Sequence, residues 1–113
     1  MTTIFKKIID REIPAQIVHE DDQCLAFHDI APKSPVHILV IPKKEISGVG
    51  AIEEEDEALV GHCLYVIRRL AEEQGIAEDG YRVVINQGKN AEQSVAHLHF
   101  HLMGGRAFTW PPG

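Results

Sequence analysis

Ile4, Phe5, Ile8 and Ile9 recur at helical spacing, which predicts a short amphipathic helix near residues 3–10, ended before Pro14. Gln16 to His19 reads as a strand, Glu20-Asp21-Asp22-Gln23 as a polar turn, and Cys24 to Asp29 as the returning strand of a hairpin. Ala31-Pro32-Lys33-Ser34-Pro35 is a loop whose prolines hold the residues before them extended. Val36 to Ile41 is a strongly apolar strand that Pro42 closes. Residues near 53–74 predict a long helix with Leu59, Val60, Cys63, Leu64, Ile67, Leu70 and Ala71 on one face. The acidic run Glu53 to Glu57 at its start and Arg68-Arg69 near its end suit the helix dipole, and Gly75 is its stop. Tyr81 to Ile85 is a further strand, Asn86 to Ser94 a polar loop, and Val95 to Met103 the last strand. This order predicts an α+β fold: an antiparallel sheet of about five strands, one long helix packed on a face, and one short helix.

The last strand carries the chemistry. In His97-Leu98-His99-Phe100-His101-Leu102 polar and apolar residues alternate strictly. Successive side chains of a strand point to opposite faces, so the three histidines share one face and Leu98, Phe100 and Leu102 the other. The apolar face is expected under the long helix, which leaves the histidine face as the working surface. Three readings of that face are open. It is a solvated polar surface; or two of its histidines bind a metal with His37 as a third ligand; or one imidazole is a nucleophile. Against the metal stands the spacing of alternate residues along a strand, about 7 Å. For the nucleophile stands the ordinary pKa of imidazole, about 6.5, which leaves the ring neutral and reactive near neutral pH. Neighbouring imidazoles can hold phosphate oxygens and move protons, and a backbone carbonyl of the strand can fix the tautomer of the central ring. The loop Asn86 to Ser94 offers amides, a hydroxyl and backbone N–H groups able to ring a phosphate without full positive charge.

Composition narrows the class. The 113 residues suit one domain spanning 1–113, and 44% hydrophobic with 25% charged residues is the mix of a soluble globular protein. A net charge of −6 argues against a generic nucleic-acid binder, though not against one bound nucleotide. Neither a secretory leader nor a membrane-spanning run is visible, so a cytoplasmic protein is expected. Cys24 and Cys63 sit among apolar neighbours without a CxxC pair and read as buried thiols of a reducing compartment. Neither has a second ligand at a usable sequence spacing, so a structural zinc site on them is not expected.

His97-Leu98-His99-Phe100-His101-Leu102-Met103 resembles the histidine-triad motif, in which three histidines alternate with apolar residues. Further segments are similar to the Hint branch of that superfamily. They are Ile4-Phe5-x-Lys7-Ile8-Ile9, Glu12-Ile13-Pro14, Phe27-His28-Asp29-Ile30-x-Pro32, Pro35-x-His37-x-Leu39-Val40-Ile41-Pro42-Lys43, Gln93-Ser94-Val95, Gly104-Gly105-Arg106 and Trp110-Pro111-Pro112-Gly113. The resemblance covers nearly the whole chain. It implies a histidine-triad fold and a purine nucleoside phosphoramidase, which cleaves the P–N bond of adenosine 5′-monophosphoramidate and related aminoacyl or lysyl adenylates through a covalent nucleotidyl-histidine. It implies His99 as nucleophile, His101 as a phosphate ligand, His37 and His97 as proton-moving and orienting groups, and Ser94 as a donor to the phosphate or leaving group. Asn86, Glu92 and Gln93 fall at the phosphate end, and Asp29 at the ribose hydroxyls with Ile30 packed beside it. Phe5, Ile8, Ile13 and Phe27 match the slot for the base. Many Hint proteins have glycine where this chain has Glu92, whose side chain is expected to point outward so that only its backbone serves the ligand. The resemblance further implies a homodimer whose sheet extends across two subunits, a tail near Trp110 reaching toward the partner's site, AMP or GMP as ligands, and no cofactor or metal. A nucleotide-binding scaffold with incidental hydrolysis and a metal-dependent hydrolase on the same histidines are the competing readings.

Overall fold

The computed structural model describes residues 2–113. The elements run α1 (Ile4–Ile9), β1 (Ile17–Glu20), β2 (Cys24–His28), β3 (Val36–Pro42), α2 (Glu57–Glu73), β4 (Tyr81–Val84) and β5 (Phe100–Gly104). The five strands form one antiparallel sheet in the order β1-β2-β3-β5-β4. The predicted α+β architecture is the one observed. No helix among the described residues is long and apolar enough to cross a membrane.

Period-two alternation makes the sheet two-faced. Cys24, Ala26, Ile38, Val40, Phe100 and Leu102 point to the α2 side, where they meet Cys63, Val66, Ile67, Leu70 and Ala71. Leu25, Phe27, Leu39 and Ile41 point the other way and are covered by Phe5 and Ile8 of α1. α1 has only six residues, too short to stand alone, so this packing and the Thr3 hydroxyl capping the Lys6 N–H hold it in place.

The elements depart most from the sequence reading along α2 and at the start of β5. Glu54–Asp56 is a 3-10 turn, so α2 begins at Glu57. Asp56, 2% exposed, accepts there from the Glu53 N–H and from the Lys44 ammonium. On α2, Leu64 is 46% exposed and Val66 takes its expected place in the core. The buried stripe is centred between Cys63 and Ile67, and at 100° per residue Leu64 lies beyond its edge. β4 ends at Val84, and β5 starts at Phe100 rather than Val95. The ladder with β3 stops at Val40 opposite Phe100. Continuing it would set Leu98 against Pro42, which has no N–H to donate. Leu98 donates instead to the Ile46 carbonyl at 2.6 Å.

Candidate active site

Loss of the ladder beyond Phe100 does not scatter the histidines. Leu98 stays on the α2 side, and His97, His99 and His101 stay on the α1 side with His37 of β3. This face is not the solvated polar surface that one of the three readings offered; it is covered. His37, His97 and His99 are at most 5% exposed, and Phe5 stands edge-on to His99 with ring centroids 5.0 Å apart.

Each ring is held by groups that can act in one sense only, and this fixes the tautomers. The His97 carbonyl can only accept, so His99 Nδ1, 2.7 Å away, carries a proton, and in the neutral ring Nε2 keeps the lone pair. The Pro42 carbonyl likewise takes the Nε2–H of His97 at 2.8 Å. The Lys33 N–H can only donate, so His37 Nδ1, 3.0 Å away, is the acceptor and Nε2 carries the proton. That proton is directed at His101 Nδ1, 2.9 Å away, with the Asp29 carboxylate 3.4 Å off. His101 must therefore hold its own proton on Nε2. That nitrogen is buried with no hydrogen-bond partner among the described residues. An unanswered buried donor beside a lone-pair nitrogen is a place prepared for an acceptor that the protein does not supply.

Burial lowers the pKa of His37, with the Asp29 carboxylate partly opposing it. Burial also lowers His97, against the pull of the Pro42 carbonyl. His101 is lowered to about 4, by burial first and then by the neighbouring His99 and His37. These three rings are thus neutral at neutral pH, as the fixed tautomers require.

A cavity of about 410 Å³ opens on this cluster. Of the residues the sequence reading singled out, His99, His101, Ser94, Asp29, Ile30, Phe5, Ile8, Ile13 and Phe27 line it. His37 and His97 lie behind that lining and act on it through their partners. Asn86, Glu92 and Gln93 are not among the lining residues. Gln93 braces the loop: its Oε1 accepts from Gly88, and its Nε2 donates to the carbonyls of Ser47 and Val95. Glu92 is exposed, with a left-handed φ of +57° that explains why glycine suits the position. Ile30 is 97% exposed at the cavity mouth instead of packed beside Asp29. His28, Pro14, Ala15, Leu39 and Val95 also line the cavity and were not singled out. Leu39 was within reach, since alternation along β3 puts it on the face of His37. The Lys33 N–H that orients His37 carries no side-chain signal at all. For a metal, the ligand atoms of Asp29, His37 and His101 lie within 4.8 Å of one another.

A family model described as the HIT domain matches residues 10–108. An HIT-like protein of Synechococcus elongatus is 57% identical over 111 residues, covering 98% of this chain and 96% of that one. An HIT-like protein of Synechocystis is 55% identical over the same shares. Among solved structures, an HIT family hydrolase from Legionella pneumophila superposes with a TM-score of 0.97 at 45% identity, over 99% of this chain and 100% of that one. A histidine triad nucleotide-binding protein from Candida albicans does so with a TM-score of 0.83 at 32% identity, over 97% and 83%.

Proposed function

The chain belongs to the histidine-triad (HIT) domain family, and on that premise we propose that it is a nucleotide-binding hydrolase, specifically a purine nucleoside phosphoramidase. The observation that carries this reading is the fixed tautomer of His99, whose Nδ1–H is held by the His97 carbonyl while Nε2 keeps a lone pair. Nε2 attacks the α-phosphorus of an adenosine 5′-monophosphoramidate, the P–N bond breaks, and the amine takes up one proton from solvent as it leaves, a proton that the water of the second step gives back. The Nε2–H of His101, without a partner among the described residues, donates to a phosphoryl oxygen. Water then releases AMP from the nucleotidyl-histidine. Ser94, at the rim, donates to the phosphate or the leaving group. Asp29 accepts from the ribose hydroxyls, and Phe5, Ile8, Ile13 and Phe27 take the base.

The test is a panel of adenosine and guanosine phosphoramidates with varied amines, run on wild type and His99→Ala. Wild type should turn them over and trap a nucleotidyl-enzyme in a single turnover, and the variant should do neither. Full activity in His99→Ala overturns the nucleophile. Nucleotide binding with negligible turnover in wild type favours a scaffold instead. The Asp29, His37 and His101 group supports a second reading, a metal-dependent hydrolase. Both nitrogens of His37 already have partners, which weighs against it. Activity that disappears on chelation and returns with zinc would decide for it.

A homodimer belongs to the same proposal. β4 is an edge strand, and Leu64, Tyr65, Tyr81 and Trp110 are large apolar side chains left exposed. Sedimentation at micromolar concentration tests it, with a monomer as the contrary result.

A further inference from the structure

A second histidine cluster lies on the α2 side of the sheet, away from the cavity. The turn between β1 and β2 places Asp21 so that Oδ1 accepts the N–H groups of Gln23 and Cys24, both at 2.8 Å. This fixes the carboxylate and leaves Oδ2 facing α2. Three side chains converge on that one oxygen: His19 Nε2 at 2.8 Å, His62 Nε2 at 2.7 Å and Cys24 Sγ at 3.6 Å. The ligand atoms of His19, Asp21 and Cys24 all lie within 4.8 Å of one another. A separate cavity of about 270 Å³, lined by His19, Asp21 and His62 together with Tyr65, Arg69 and Glu73, gives access from solvent.

We propose that this cluster binds one divalent transition cation of the zinc class, held by His19 Nε2, Asp21 Oδ2, His62 Nε2 and the Cys24 thiolate. Two imidazoles, a carboxylate and a thiol form a nitrogen- and sulfur-rich set that suits zinc or cobalt and not magnesium or calcium. Zinc sits about 2.0–2.2 Å from nitrogen and oxygen and about 2.3 Å from sulfur. His19, Asp21 and Cys24 already bring their ligand atoms within 4.8 Å of one another, and His62, whose Nε2 meets Asp21 Oδ2 at 2.7 Å, completes the set by turning its half-buried side chain toward them. The two backbone N–H groups on Oδ1 orient the carboxylate as the outer shell of a metal site does. The carboxyl is held well below its usual pKa: burial would raise it, but the hydrogen bonds from His19, His62, Gln23 and Cys24 prevail, so the anion is present at any physiological pH. A carboxylate serving only to tie a hairpin to a helix needs one partner, whereas here one oxygen gathers three metal-binding groups beside a solvent-open cavity. Binding releases the Cys24 thiol proton to solvent and shifts each neutral imidazole to the tautomer with its proton on Nδ1, which frees Nε2 for the metal. Sequence spacing hid this set, because His62 lies 41 residues from Asp21 and only the packing of α2 unites them.

Titration of the untagged protein with cobalt chloride, followed by absorbance and equilibrium dialysis, tests the site. We expect one cobalt per chain, with a tetrahedral visible spectrum and a sulfur-to-cobalt charge-transfer band, displaced by zinc. His101→Ala, which breaks the other histidine-rich group, should bind alike. His62→Ala on the α2 surface should weaken binding at least tenfold, as should Asp21→Asn, with circular dichroism confirming that each variant is folded. Cys24→Ser should lose the charge-transfer band. Absence of stoichiometric binding, or binding lost in His101→Ala and kept in His62→Ala, overturns the proposal. A charge-transfer band that persists in Cys24→Ser overturns the assignment of its sulfur ligand.

Discussion

His37 and His101 meet ring to ring across strands β3 and β5, with His37 Nε2 2.9 Å from His101 Nδ1. The Lys33 N–H behind His37 gives this pair its direction, so His101 presents a proton to the cavity instead of a lone pair. His37→Ala removes the donor that enforces this tautomer. If the chain is the phosphoramidase proposed above, kcat for a nucleoside phosphoramidate should fall by about 10- to 100-fold, with KM changing less, because the lost interaction would act on charge developing at phosphorus. Steady-state kinetics on the folded variant check this, and an unchanged kcat would remove His37 from the relay.

Stability should fall in mild acid. The folded-state pKa values of His37, His97 and His101 all lie below the unfolded value of about 6.5. Between the two values the unfolded chain binds protons that the folded one refuses, so the stabilisation is complete above pH 6.5 and lost as the pH falls through the folded values. For His101, lowered to about 4, the loss amounts to at most about 3 kcal/mol. Urea denaturation at pH 7.5 and 4.5 should show a clear drop in midpoint, and His101→Asn should flatten it. Equal midpoints in the wild type would contradict the buried neutral rings.

Glu92 occupies the left-handed region at φ +57° with its side chain exposed. An L residue is strained there and glycine is not, although glycine loses more entropy on folding. Glu92→Gly should therefore raise stability by up to about 1 kcal/mol, read as a higher Tm. A lower Tm would mean that Glu92 makes an interaction outweighing its backbone strain.

Gly104 ends β5 where the chain passes Ile76. A Cβ at this position would stand 2.6 Å from Ile76 Cδ1 and 3.1 Å from its Cβ. Because Ile76 is itself buried, little room exists to yield. Gly104→Ala should cost about 1–3 kcal/mol in denaturant unfolding, and wild-type stability would show that the Ile76 turn moves freely.

Local pattern carried most of the fold. The hairpin of β1 and β2 followed from apolar runs around a polar turn, and α2 from its repeating apolar stripe. The face shared by the three histidines was readable even though the strand was drawn too long. Side-chain alternation survives in extended backbone after the ladder ends, while the end of the ladder depends on Pro42, a residue of another strand. Leu64 was misplaced because a stripe has edges that only the facing sheet defines. At the candidate site, the residue types were visible and their partners were not. The Lys33 N–H, the Pro42 carbonyl and the His97 carbonyl are backbone groups, and nothing in a side-chain sequence announces which ring they hold.

The cavity is built from materials of unequal firmness. Its histidine floor rests on β3, a central strand buried on both faces from Ile38 to Pro42, so displacing His37 means opening the whole molecule. Its opposite wall is α1, six residues whose Phe5 touches His99 directly. Local opening there disrupts one short helix and leaves the sheet intact. Amide exchange should thus be slowest beneath the histidine rings and faster at their cover. A ligand too wide for the resting slot would gain admission by lifting α1, with the His37–His101 hydrogen bond below undisturbed.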